Sequence, residues 1–122
     1  MATQPTIVIV VDDNPGFLDS VVRLLSAHGF ATRTFASAEA FLDSEASVSA
    51  TCMLLDIHLG GISGIELRRR LAAAGSDCPV IFMTAIDDDA ICKEAMSAGC
   101  VAYLRKPFAP KLLLDAIAKA GQ

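Results

Sequence analysis

The chain has 122 residues, 53% of them hydrophobic and 20% charged, which suits one domain over 1–122 and argues against a disordered chain. A net charge of −4 excludes a general electrostatic draw toward nucleic acid or anionic membrane. The start, MATQPTIVIVV, has no basic n-region, and its apolar run is too short for a signal peptide or a membrane span, so a reduced, cytoplasmic protein is expected.

Short apolar runs alternate with helix-length amphipathic segments. The first run, Ile7-Val8-Ile9-Val10-Val11, ends in Asp12-Asp13. Asn14 then caps a helix with Pro15 at its first position. Phe17, Leu18, Val21, Val22, Leu24 and Leu25 recur along it at three- and four-residue spacing, and Gly29 closes it. The second run, Ala31-Thr32-Arg33-Thr34-Phe35, alternates and reads as an edge strand, with Ser37 placed to cap the next helix. The third, Cys52-Met53-Leu54-Leu55, leads into Asp56. A helix after Gly64 then carries Ile65, Leu67 and Leu71 inward and ends at Gly75. Its Arg68-Arg69-Arg70 run reads as a solvated face. The fourth run, Val80-Ile81-Phe82-Met83, leads to Thr84-Ala85, and Asp87-Asp88-Asp89 suit the start of a helix ending at Gly99. The fifth, Val101-Ala102-Tyr103-Leu104, leads to Lys106-Pro107. Pro110 opens the last helix, with Leu112, Leu113, Ala116 and Ile117 expected inward.

Five β-α units in succession imply a parallel sheet with helices on both faces, because parallel strands need crossover connections. Three of the runs lack polar alternation, as strands covered on both faces do. The four cysteines form no C-x-x-C pair, and His28 and His58 give no zinc spacing. Cys52, Cys78 and Cys100 fall at or just before the amino ends of strands and read as small buried hydrophobes. Cys92 lies on the fourth helix, where more exposure is expected.

In open parallel sheets, functional residues gather beyond the carboxyl ends of the strands. In a strand order of 2-1-3-4-5, strands one and three are neighbours, so Asp12, Asp13 and Asp56 would converge and Lys106 would reach in from the side. Two charges about 4 Å apart cost roughly 4 kcal/mol at an effective dielectric of about 20, so such a cluster survives only where a hard divalent cation, a lysine or protonation offsets the repulsion. Oxygen-only ligands favour Mg²⁺ over zinc or copper. Mg²⁺ and a lysine around a carboxylate make a site for a phosphoryl group, one oxygen of which a hydroxyl such as Thr84 can bond.

Val11-Asp12-Asp13-Asn14, Leu54-Leu55-Asp56-Ile57-His58-Leu59, Met83-Thr84-Ala85 and Lys106-Pro107-Phe108 together resemble the motifs of response regulator receiver domains, the phosphoacceptor modules of two-component systems. The resemblance covers the whole chain. It implies a flavodoxin-like, doubly wound (βα)5 fold and a signalling domain rather than an enzyme. It implies that Asp56 is the phosphorylation site and that Asp12, Asp13, Asp56 and the backbone carbonyl of His58 hold Mg²⁺. Thr84 and Lys106 would bind the phosphoryl oxygens, Thr84 and Tyr103 would form the switch, and the Lys106-Pro107 bond would be cis. The implied partners are a sensor histidine kinase or phosphotransfer protein, and an output domain or protein reached through the fourth helix, fifth strand and fifth helix. Phosphorylation-dependent dimerisation fits the same picture; direct nucleic-acid or membrane binding does not. The first helix, with more apolar residues than one buried face needs, is the candidate kinase-docking surface. Ile62-Ser63-Gly64-Ile65-Glu66-Leu67 is closest in tone to receivers that precede helix-turn-helix output domains.

Two other classes fit less well. An aspartyl-nucleophile phosphatase usually has a second acid two residues after the nucleophile, where this chain has His58, and it needs a substrate cap. A fold that had lost phosphorylation would not be expected to keep Asp12, Asp13, Asp56, Thr84 and Lys106 together.

The chain departs from the family pattern beside Asp56. Leu59-Gly60-Gly61 replaces the usual Leu/Met-Pro-Gly, and two glycines leave the loop more backbone freedom. His58 falls at a position that varies and tends to tune loss of the phosphoryl group; a pH-responsive ring and a plain exposed loop histidine both fit the sequence. Gly60→Pro is expected to stiffen the loop and lower hydrogen exchange across residues 57–63, and unchanged exchange there would remove the basis for that expectation.

Overall fold

A computed structural model describes residues 6–44 and 50–121. The strands are β1 (Ile7–Val11), β2 (Ala31–Phe35), β3 (Cys52–Asp56), β4 (Val80–Thr84) and β5 (Ala102–Arg105). They alternate with helices α1 (Pro15–Ala27), α2 (Ala38–Asp43), α3 (Gly64–Ala73), α4 (Asp89–Ala98) and α5 (Pro110–Ala120). All neighbouring strands pair in parallel, as the alternation implied, and their order is β2-β1-β3-β4-β5, as the family resemblance implied. The polar-apolar β2 takes one edge, while every residue of β3 and β4 is buried.

The period-2 alternation of strand side chains divides the core in two. Val8, Val10, Leu54, Ile81 and Met83 point to one face, where Val21 and Leu25 of α1 and Leu113, Ala116 and Ile117 of α5 cover them. Ile9, Val11, Met53, Leu55 and Phe82 point to the other, under Phe41 of α2, Ile65 and Leu67 of α3 and Ala95 of α4.

Local chemistry sets the helix starts. Side chains of Asn14, Ser37, Ser63 and Asp88 accept hydrogen bonds from backbone N–H groups in the first turns of α1, α2, α3 and α4. Ser63 is a cap the sequence reading passed over. It begins α3 at Gly64 itself rather than after it. That glycine is required by space: a Cβ there would stand 2.3 Å from the backbone oxygen of Asp56.

Three expectations need correction. Leu112 is 53% exposed, because the buried stripe of α5 runs Leu113, Ala116, Ile117, Ala120 and leaves its neighbour off the face. Arg69 and Arg70 are exposed and paired with Glu94 and Glu66. Arg68, however, is half-buried, donates to the Gly99 carbonyl at 3.2 Å, and keeps a buried Nη1 that finds no hydrogen-bond partner among the described residues. Among the thiols, Cys52 is buried, whereas Cys78, Cys92 and Cys100 are alike half-buried, so Cys92 does not stand apart. No helix among the described residues is long and apolar enough to cross a membrane.

Gly64→Ala is expected to destabilise the fold by about 1–3 kcal/mol through overpacking against rigid backbone. Gly60→Ala, whose Cβ would meet nothing within 4 Å, should stay within about 0.5 kcal/mol of wild type. Urea unfolding of the two variants tests the contrast.

Candidate functional site

The carboxyl ends of β1 and β3 lie side by side because those strands are neighbours in the sheet. Asp12 follows β1 directly, and its backbone N–H donates to the Phe35 carbonyl at 3.1 Å. Asp12 is fully buried. Its Oδ1 accepts from the Asn14 N–H at 2.9 Å, and its Oδ2 stands 2.5 Å from Lys106 Nζ. Asp56, the last residue of β3, is also buried. Its Oδ1 accepts from the His58 N–H at 3.1 Å, and its Oδ2 lies 3.7 Å from Lys106 Nζ. Asp13 is exposed at the mouth. One ligand oxygen from each of Asp12, Asp13 and Asp56 falls within 4.8 Å of the others. An all-oxygen set of three carboxylates against one ammonium carries a surplus negative charge and fits a hard divalent cation.

Burial pushes the Asp56 carboxyl above the ordinary carboxylate range. Lys106 and the His58 N–H pull it down, while Asp12 and Asp13 add to the rise. The ammonium therefore offsets only part of what burial imposes.

The remaining sequence candidates take different positions. Lys106 enters from the end of β5, its backbone N–H donating to the Thr84 carbonyl at 2.7 Å, and the Lys106-Pro107 peptide is cis. Thr84 closes β4 and is fully buried, but its hydroxyl is engaged within its own loop: it accepts from the Ile86 N–H at 3.0 Å and donates to the Ile86 carbonyl at 3.3 Å. Tyr103 sits half-buried in β5 beside Phe82, packed on the face that α4 covers. Burial raises its phenol above the usual value. The His58 side chain is exposed.

The family model described as the response regulator receiver domain matches residues 8–118. The chain belongs to this family. Receivers of this kind are signalling domains of two-component response regulators, and the flavodoxin-like, doubly wound fold is theirs. The transcriptional regulatory protein TdiR of Thauera aromatica is 36% identical over 110 residues, covering 90% of this chain and 48% of TdiR. The transcriptional regulatory protein FixJ of Bradyrhizobium diazoefficiens is 39% identical over 101 residues, covering 83% of this chain and 49% of FixJ. The crystal structure of FixJ-N matches with a TM-score of 0.89 at 34% identity, covering 98% of this receiver and 95% of that chain. The chain spans about half the length of the curated relatives it matches.

Two contacts beside the pocket were not visible in the sequence. Glu39 of α2 accepts from the Ile62 N–H at 3.3 Å, tying down the loop after Asp56. In that loop it is Gly61, at φ +106°, rather than Gly60, that adopts the left-handed region. The second contact is the ring of Phe17, 4.1 Å from Lys106 Nζ. No pattern signals either, since both join segments distant in the chain.

The raised Asp56 carboxyl fixes the sign of a pH effect. A folded-state pKa above the unfolded one means that ionised Asp56 lowers stability, and this loss develops as pH rises through the folded value. Asp56→Asn is therefore expected to stabilise the metal-free receiver at pH 7 by on the order of 1 kcal/mol, with a smaller gain on acidification. Urea midpoints in chelator at neutral and mildly acidic pH check it, and a destabilised variant at pH 7 would contradict the burial argument.

Proposed function

We propose that the receiver, acting as one unit over residues 1–122, accepts a phosphoryl group on Asp56 from the phosphohistidine of a sensor histidine kinase or phosphotransfer protein. The observation that carries this reading is the convergence of Asp12, Asp13, Asp56 and Lys106 at one end of the sheet. An Asp56 carboxylate oxygen attacks phosphorus and forms an acyl phosphate. The bond between phosphorus and the donor's imidazole nitrogen breaks, and the ring leaves with its electron pair and takes up a proton. Asp12, Asp13 and Asp56, with the His58 carbonyl, would hold Mg²⁺, which supplies positive charge to the phosphoryl oxygens. Lys106 adds a second positive charge from the side, close to Asp56 Oδ2. The His58 N–H holds one carboxylate oxygen and so limits rotation of the acceptor.

The switch begins at Thr84. Its hydroxyl leaves Ile86 for a phosphoryl oxygen, which frees the loop between β4 and α4 and lets Tyr103 turn inward. New charge-assisted contacts thereby shift the population between two states of the α4-β5-α5 surface, where an output domain, a partner protein or a second copy is engaged. The relatives' greater length and their description as transcriptional regulators support an output of that kind. The kinase would dock on α1, where Phe17, Leu18 and Leu24 remain only half-buried against the core.

Intact mass after incubation with acetyl phosphate and Mg²⁺ is expected to rise by one phosphoryl group in wild type and by none in Asp56→Asn or in chelator. A gain that persists in Asp56→Asn would move the site elsewhere.

A further inference from the structure

Lys106 is held by more than acids. Its Nζ lies 4.1 Å from the centroid of the Phe17 ring, while the same atom is 2.5 Å from Asp12 and 3.7 Å from Asp56. An ammonium over an aromatic face is attracted by the ring quadrupole, more strongly where water is excluded, and the Lys106 side chain is only 18% exposed. The ring is itself located. The Phe17 N–H donates to Asn14 Oδ1 at 3.1 Å, anchoring the first turn of α1. The Phe108 ring meets it edge to face, with centroids 6.1 Å apart and planes at 82°. Both rings line an apolar cavity of about 220 Å³ between α1 and α5, with Val21, Leu24 and Leu113 also on its walls. Phe17 packs half-buried against the core, and its ring is met from outside that core by Phe108 and by the ammonium.

We propose that Phe17 is a positioning residue for Lys106, a ring seat that keeps the ammonium beside Asp56 when Asp12 is engaged by a cation. The inference rests on the phosphoacceptor reading above. In this structure the nearer partner of Lys106 is Asp12, yet Asp12 is also one of the three carboxylates that would take the cation. A lysine anchored by Asp12 alone would lose that anchor when the carboxylate turned to the metal. The ring ligates no metal. Its hold on the ammonium persists and leaves Lys106 where negative charge develops on the transferring phosphoryl group. An aliphatic side chain could fill the space but offers no quadrupole. Phe108 acts one contact further out, by setting the tilt of Phe17.

The test compares wild type with Phe17→Leu, Phe17→Tyr and Phe108→Leu in the full chain. One readout is the ring-current displacement of the Lys106 ε-methylene proton signals by NMR, which needs no phosphorylation. The other is the rate of phosphoryl mass gain from acetyl phosphate as a function of Mg²⁺. Phe17→Leu is expected to lose the upfield displacement and to lower the maximal rate about two- to tenfold, with half-saturating Mg²⁺ unchanged. Phe17→Tyr should restore both readouts, and Phe108→Leu should give intermediate values. A simple packing role would lower the unfolding midpoint without separating Leu from Tyr in rate, and that result overturns the proposal. So does a wild-type rate in Phe17→Leu. Should Phe17→Leu not fold, Phe17→Met, which is long and apolar without a ring, answers the same question. Wild type that takes up no phosphoryl group would sink the phosphoacceptor reading and this inference with it; a labelled wild type with an indifferent Phe17 sinks only the inference.

Discussion

Three carboxylates lie within 4.8 Å of one another at the end of the sheet, and the Lys106 ammonium is the positive charge that makes their closeness sustainable. Repulsion between like charges costs several kcal/mol where two of the three, Asp12 and Asp56, are buried, so the cluster calls for a compensating cation or for protonation. Lys106 meets that need in part. It sits against Asp12 and leaves the Asp56 carboxyl raised by burial, which is the condition of a site still poised to receive positive charge.

The fold brings these groups together with little freedom. β1 and β3 are adjacent, so Asp12 and Asp56 emerge side by side, and β5 returns on the far side of β4 to deliver Lys106. Parallel strands all end at the same edge, and a doubly wound sheet therefore concentrates strand-end residues in one crevice. Close packing sharpens the placement. The start of α3 approaches Asp56 so nearly that Gly64 has no room for a side chain, and Glu39 reaches across from α2 to hold the intervening loop. Thr84 is buried at the same edge but committed to Ile86, which separates the acid pocket from the β4-α4 loop in this state.

Most of the architecture was legible along the chain because it is written in local periodicity. β1 and β2 have the bounds their apolar runs suggested, the Asn14 and Ser37 caps fall where their chemistry placed them, and of the three acids before α4 it is Asp88 that caps the helix. Two of the errors share one cause. Leu112 and Arg68 each occupy a helix position whose environment depends on the exact facing of the helix, which periodicity locates only to within a residue. Tertiary packing turned Leu112 outward and drew Arg68 in toward Gly99.

The ordered motifs around Asp12, Asp56, Thr84 and Lys106 marked the family, and the alternation of apolar runs with helical segments marked a parallel sheet; the strand order came with the family resemblance, because residue type and spacing do not fix which strands become neighbours. Which atoms touch was decided only by the folded chain. The pairing of Lys106 with Asp12 in preference to Asp56, the Phe17 ring beneath that ammonium and the Glu39 hold on the loop all join residues far apart in sequence. Such contacts depend on side-chain direction and inter-element distance, and no local pattern encodes either quantity.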